Sequence, residues 1–462
     1  MAHKHDMDSP SSITSRLQSG LNLIFGAFMM CIISVSHTLQ ALLHIICEPL
    51  QLISLPLHNA SRIMLLRLGW SPVFAGMRFA NMRLVVTGDH DAVAMSSAQD
   101  SVYLPLMNGA CKGKPPKMVM GNHQVYADTF MIGYYMHTLN QADGGMVWAL
   151  WKIFRAVPLG WASWGSGHMF LGFGAERDKK TMQEKIKTFP KREYTNLCFY
   201  PEGGLITPVL LNKANTYAEK NGLPVMENVM LPRTVAFTQT VAAFKQICGQ
   251  EQDIFENEVI FRREGGMQSP KSGIELTPDG DVIDITIGYP KNTPWGRGDL
   301  YNMLDLVKYH SEPVDVHMHV RKYKLSDVGS TEKDMINWLY ARWVEKDELM
   351  RDFKRTGKFH GEDQVKISLS MNRVLKDLAL WAPFMAVFCA VIGFGGIRFA
   401  YMASTVFYMF MVTGAAVSAT MTATIIIWVS GVCAAVVAAM YGFSPLLAVP
   451  LGLIPSKVSE AK

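Results

Sequence analysis

Acidic and basic side chains are scarce: Asp, Glu, Lys and Arg make up 18% of the 462 residues and are missing altogether from Leu17–Cys47 and from Phe399–Ser456. About 20 helical residues cross a hydrocarbon core of about 30 Å, so two uncharged apolar stretches of that length call for a bilayer. The seven cysteines (Cys31, Cys47, Cys111, Cys198, Cys248, Cys389, Cys433) are scattered, odd in number and without a CxxC pair, which excludes a disulfide framework and a zinc site. No metal is expected. The chain has no GxSxG elbow, no GxxxxGK(S/T) loop and no HExxH, so a serine lipase of the usual type, a P-loop NTPase and a zincin are all excluded. The run GFGAER, Gly172–Arg177, lacks the third glycine of a dinucleotide loop. The basic excess is small, 44 against 39 for a net +5, too mild for nucleic acid but favourable at an anionic lipid surface. An apolar content of 49% excludes disorder.

The apolar pattern divides the chain. Residues 1–16 are a polar tail expected to be mobile, and 17–57 are an uncleaved membrane anchor. In the second half of the anchor His37, Gln40, His44, Glu48 and Gln51 fall near helical spacing, so that half is a bend, an interfacial helix or the return leg of a shallow hairpin. Residues 58–82 read as an amphipathic connector, 83–361 as a catalytic-sized α/β domain, 362–377 as a linker, 378–456 as a C-terminal membrane region of two or three spans, and 457–462 as a tail.

Within 83–361, short apolar runs alternate with longer amphipathic ones, the pattern of a mixed sheet flanked by helices. Strands are expected at Arg83–Thr87, Lys117–Gly121, Asn196–Tyr200, Val229–Leu231, Asp281–Gly288 and Val314–Tyr323. Helices are expected at Tyr126–Leu139, Lys179–Phe189, Ala214–Lys220, Val235–Cys248 and Thr331–Lys354, the last capped by Thr331 with Asp334 and stopped by Gly357.

Three places carry chemistry. His123 and Asp128 lie between an expected strand and an apolar helix. Five residues of regular helix would turn the two side chains about 140° apart, so contact requires one to lie off the helix. Asp128 would then fix the imidazole tautomer, and the other ring nitrogen would take a proton from a substrate hydroxyl. Spacing alone is not diagnostic, since His3 with Asp8 and His310 with Asp315 repeat it. In LCFYPEGG, an apolar strand runs into Pro201, Glu202, Gly203 and Gly204, either an ordinary strand exit or a carboxylate placed where a ligand can approach closely. Pro232 and Arg233 follow another apolar run, and Arg233 is either a phosphate fork or half of a structural ion pair.

Taken in order, NHQVYAD (Asn122–Asp128), FYPEG (Phe199–Gly203) and GLPVMENVMLPRT (Gly222–Thr234) resemble the NHx4D, FPEG and GLPV…LLPRT segments of the glycerolipid acyltransferases. The resemblance runs from about Arg83 to Gly361, through VTGD (Val86–Asp89), VDVHMHVRKY (Val314–Tyr323) and WVEKDELMRDFKRTGKF (Trp343–Phe359), and is closest to the lysophosphatidic acid and lysophospholipid branch. It implies an α/β acyltransferase domain with N-terminal and C-terminal transmembrane helices, in an endoplasmic reticulum membrane. It implies transfer of a fatty acyl group from acyl-CoA to a lysophospholipid acceptor at the lipid bilayer, without cofactor, metal or covalent enzyme intermediate. His123 would be the general base and Asp128 its partner. Asn122, Glu202, Gly203, Pro232 and Arg233 would line the acceptor side.

Two departures bear on the acceptor. Gly204 and Leu205 stand where the lysophosphatidic acid branch reads Thr and Arg, and Phe173 stands at the arginine of the family's GxxFIxR block, here GHMFLGFGAERDKK. Arg177, Lys179 or Lys180 would take over phosphate binding. The resemblance thus implies conversion of lysophosphatidic acid to phosphatidic acid, with two alternatives. One is an acceptor bearing a head group, of the lysophosphatidylinositol or lysocardiolipin type, in phospholipid remodelling; the other is a catalytically silent lipid-binding membrane protein.

Overall fold

The computed structural model describes residues 10–89, 116–138, 145–156, 158–172, 175–192, 196–249, 279–290, 307, 310, 312–361 and 364–368, with scattered positions between 372 and 390. Two helices lead, α1 (Pro10–Cys47) and α2 (Leu55–Phe79), joined by a turn containing the short helix Leu50–Ile53. Ser54 caps α2, its Oγ accepting the Leu57 N–H. They are followed by β1 (Met82–Gly88), β2 (Lys117–Gly121), α3 (Asp128–Thr138), β3 (Met146–Trp151), α4 (Pro158–Gly165), β4 (Met169–Leu171), α5 (Ala175–Lys187), β5 (Asn196–Phe199), α6 (Pro208–Lys220), α7 (Thr234–Ile247), β6 (Asp281–Gly288), β7 (Val314–Lys324), α8 (Glu332–Thr356) and β8 (Val365–Ile367).

The described strands form one mixed sheet in the order β4-β3-β5-β2-β6-β7-β1-β8. The first five are mutually parallel, β7 is antiparallel to β6 and parallel to β1, and β8 pairs antiparallel with β1. Successive residues alternate between the two faces, and both faces are covered. Val119, Cys198, Ile283 and Ile285 face α2 and α3, whereas Met118, Met120, Leu197, Phe199 and Val282 face α5, α7 and α8. Burial on both sides explains why these strands read as near-continuous apolar runs.

Residues 58–82 form most of α2 and the start of β1; Val73, Phe74 and Met77 of α2 are in the core against α3 and the sheet. The anchor's second half continues α1 without a bend to Cys47. His37, Gln40 and His44 turn inward, with Gln40 Nε2 donating to Ser166 Oγ at 3.0 Å. The span Ile24–Ile53 is long and apolar enough to cross a membrane by length and composition, and half of an apolar 18-residue window within it is buried in the protein. Of the C-terminal membrane region expected at 378–456, residues 381–388 are helical, with Trp381 Nε1 donating to Ser36 Oγ of α1 at 2.7 Å; its part beyond residue 390, and the tails at 1–9 and 457–462, lie outside the described residues.

Val229–Leu231, expected as a strand, is not one. The backbone N–H groups of Glu227, Asn228 and Val229 donate to Asp347 Oδ1 on α8 (3.0, 2.5 and 3.1 Å), so the chain bends around a carboxylate here instead of pairing with a neighbouring strand. β3, β4, β8 and α4 were not anticipated. The caps of α8 are as expected: Thr331 Oγ1 accepts the Asp334 N–H, and Gly357 ends the helix at φ 78°.

Candidate active site

Parallel neighbours β5, β2 and β6 bring their carboxyl ends side by side, with Met120 paired to Phe199 and Gly121 to Ile285. The loops after these strands converge there, the usual ligand edge of an open α/β sheet. After β2 the chain leaves the sheet at Asn122, and Asp128 opens α3, so His123 sits off the helix as its contact requires. His123 Nδ1 lies 2.9 Å from Asp128 Oδ2. A carboxylate only accepts, so Nδ1 carries the proton and the lone pair is left on Nε2. Among the described residues Nε2 makes no hydrogen bond.

Asp128 is fully buried and well supplied with donors. Oδ2 also accepts the N–H groups of Gln124 and Val125 (2.6 and 3.0 Å), and Oδ1 accepts the Tyr289 hydroxyl at 2.8 Å. The His123 ring stacks on Tyr200 after β5, centroids 3.9 Å apart and planes 5° from parallel. The His123 carbonyl accepts the Ile206 N–H at 2.9 Å, tying this loop to the one that carries Glu202 and Gly203. His310 and Asp315, which repeat the spacing, do not form this pair. Asp315 accepts from Arg83 Nε at 2.7 Å and pairs with Lys366, while His3 and Asp8 lie outside the described residues.

Residues 98–241 match the family model described as acyltransferase, and residues 306–381 match the one described as acyltransferase C-terminus. This chain carries an acyltransferase domain of that family. It is similar to lysocardiolipin acyltransferase 1 of Mus musculus, 25% identical over 75% of this chain and 84% of the relative. The acyl-CoA:lysophosphatidylglycerol acyltransferase 1 of Homo sapiens is 25% identical over 61% of this chain and 72% of its own length. A probable 1-acyl-sn-glycerol-3-phosphate acyltransferase 5 of Arabidopsis thaliana is 27% identical over 57% and 60%.

Other residues expected in the acyltransferase site fall into two groups. Glu202, Gly203, Pro232 and Arg233 come together beside His123. Arg233 N donates to Pro201 O at 2.8 Å, and the exposed Arg233 side chain lies over Gly203, where an added Cβ would meet its Nε at 2.7 Å. Gly203 has φ 71°, a conformation that favours glycine. Pro232 is buried. Both Glu202 oxygens are buried and make no hydrogen bond of good geometry among the described residues. Burial pushes this carboxyl up to about 8, against the opposing pull of the Met230 and His123 backbone and the Lys346 ammonium.

Asn122 and Arg177 make no contact with the His123 or Asp128 side chains. Asn122, expected on the acceptor side, is fully buried, with Nδ2 donating to Ile287 O (3.1 Å) and Oδ1 accepting Ile287 N–H (2.8 Å), so one N–H and one lone pair of its amide are spent on the backbone of β6. It fastens the β2 exit to β6. Arg177 is exposed on α5 and makes no contact with His123, Asp128 or Glu202; Lys180 is exposed on the same helix and pairs with Glu184 at 4.0 Å. Phe173 lies outside the described residues.

Tyr200, Tyr289, Lys346 and Asp347 were not singled out from sequence. Lys346 is fully buried on α8, its Nζ donating to Ile285 O (2.8 Å) and Thr286 Oγ1 (3.1 Å) and pairing with Asp284 (2.8 Å). Aromatics directly after the β5 and β6 runs, and adjacent Lys346 and Asp347 on an otherwise amphipathic helix, are the signals that point to them.

Proposed function

We propose that this acyltransferase moves a fatty acyl group from acyl-CoA to the free hydroxyl of a lysoglycerophospholipid, with His123 as general base. The observation that carries the reading is the His123–Asp128 hydrogen bond, with Nε2 making none among the described residues and the His123 carbonyl tied to the loop that follows Glu202 and Gly203. Nε2 takes the acceptor hydroxyl proton as that oxygen attacks the thioester carbonyl. Asp128 stabilises the imidazolium that forms, and the tetrahedral adduct expels the CoA thiolate, which recovers the proton from His123. The thioester is already activated, so no covalent enzyme intermediate is needed.

Arg233 over Gly203 is the phosphate contact, since a guanidinium matches phosphate oxygens bidentately. Lysophosphatidic acid is the first acceptor on family resemblance. A head-group-bearing lysophospholipid is the second, favoured by Gly204 and Leu205 in place of threonine and arginine and by the acceptors named in the mouse and human relatives, lysocardiolipin and lysophosphatidylglycerol. The uncharged stretches at both ends support a multi-pass membrane protein, and the family resemblance supports the endoplasmic reticulum as its membrane.

Purified protein in mixed micelles, given oleoyl-CoA and in turn lysophosphatidic acid, lysophosphatidylglycerol, lysophosphatidylinositol and monolysocardiolipin, tests the reading. CoA release with the matching diacyl product from at least one acceptor supports it. Release no faster than from His123→Ala refutes catalysis and leaves a lipid-binding protein.

A further inference from the structure

The parallel strands β4, β3, β5, β2 and β6 end at one edge of the sheet, and His123 and Glu202 stand on that edge. β3 ends there too, on Trp151, and passes through the short helix Lys152–Ala156 into α4. Large apolar side chains face outward along this segment: Trp151 is 46% exposed, Ile153 54%, Trp161 48% and Trp164 60%. Trp161 Nε1 donates to Arg155 O at 2.9 Å, which sets the α4 tryptophans beside the Lys152–Ala156 turn. The other side of α4 is buried against α1, where a Cβ on Gly165 would meet His44 at 2.5 Å.

Charge on this segment has one sign. Residues 144–175 contain no Asp or Glu, and Lys152 and Arg155 are their only charged side chains. Arg155 lies over the Phe170 ring, 4.9 Å from its centroid. An indole rim with flanking cations suits the head-group layer of an anionic bilayer, where the ring is half-solvated and the cation meets lipid phosphate. The rim also leads to the chemistry: Trp148 of β3 stacks 6.2 Å from Tyr200, and Tyr200 stacks on His123. α1, packed against α4, holds most of Ile24–Ile53, which among the described residues is long and apolar enough to cross that bilayer.

We propose that Trp151, Lys152, Ile153, Arg155, Trp161 and Trp164 form a membrane-docking rim that seats the catalytic edge on an anionic bilayer, so that a lipid acceptor enters from the membrane plane. The entry role rests on the acyl-transfer reading; the docking does not.

The test uses the full chain in nanodiscs of phosphatidylcholine with phosphatidylglycerol. With acyl-chain-brominated lipids, tryptophan emission of the wild type is quenched. Trp151→Phe, Trp161→Phe and Trp164→Phe combined, which keep apolar contact but lose the indoles, remove much of the quenched component. An unchanged quenched component overturns the docking surface, whatever the activity. The entry role is read by Trp161→Asp with Trp164→Asp. Turnover of a bilayer-resident oleoyl lysolipid falls about tenfold or more, while a water-soluble hexanoyl lysolipid with hexanoyl-CoA is turned over within about twofold of wild type. Equal losses on both acceptors overturn the entry role. A wild type that turns over neither, with the quenching difference intact, overturns acyl transfer and supports the rim.

Discussion

The imidazole of His123 lies flat against the phenol of Tyr200, centroids 3.9 Å apart and planes 5° from parallel, while its Nδ1 is held by Asp128. The stack fixes the plane of the ring and the hydrogen bond fixes its rotation, so Nε2 has one direction. Tyr200 is itself placed by a 3.2 Å contact between its hydroxyl and Thr129 Oγ1 on α3.

Asp128→Asn keeps the volume of a fully buried group and one oxygen for the Gln124 and Val125 amides, but removes the charge that stabilises an imidazolium. kcat is expected to fall by about 10²–10⁴. Steady-state CoA release checks this, with circular dichroism to show that the fold persists.

Glu202 ties stability to pH. Its carboxyl moves from an ordinary 4.5 to about 8 on folding because it is buried, so between those values the folded protein holds a proton that the unfolded chain has lost. Stability from this group therefore declines as pH rises through that window and levels off above about 8. Glu202→Gln removes the decline. The thermal midpoint of the variant relative to wild type should climb from pH 5 to pH 8, by an amount equivalent to a few kcal/mol. A gap that does not change with pH would refute the buried, neutral carboxyl.

Gly203→Ala places a Cβ 2.7 Å from Arg233 Nε at a residue with φ 71°. Left-handed backbone costs a non-glycine residue about 1 kcal/mol or more, and the guanidinium must move. A small loss of stability should accompany a rise of about tenfold in the KM for the acceptor, with the KM for oleoyl-CoA little changed.

Asp347 holds the loop that leads to Arg233 through three backbone N–H groups. Asp347→Ala leaves those buried donors unpaired, at about 1–3 kcal/mol, and frees Arg233 from its place over Gly203. The acceptor KM should rise as it does in Arg233→Ala, and the double variant should be no worse than the worse single one. Multiplied effects in that cycle would show that Asp347 acts elsewhere.

The main strands and the His–Asp pair were legible because two-sided burial writes apolar runs and because a strand–loop–helix junction lets residues five apart meet. β3 and α4 were not, since MVWALW and PLGWASWG are apolar without a period that separates strand from helix. Val229–Leu231 was misread because a carboxylate 118 residues away in the chain, Asp347, does the work of a neighbouring strand. Asn122 was assigned to substrate because its place beside His123 is visible in sequence, whereas its pairing with Ile287, 165 residues on, is not. Lys346, Asp347 and Tyr289 enter the site through the same long-range closures.

The most direct test is the single-turnover rate of CoA release by His123→Ala, measured with the best acceptor at a thermal midpoint matching wild type. A fall of about 10²–10⁴ with folding intact is the predicted result. A folded variant that keeps its rate within about threefold would contradict general-base catalysis by His123.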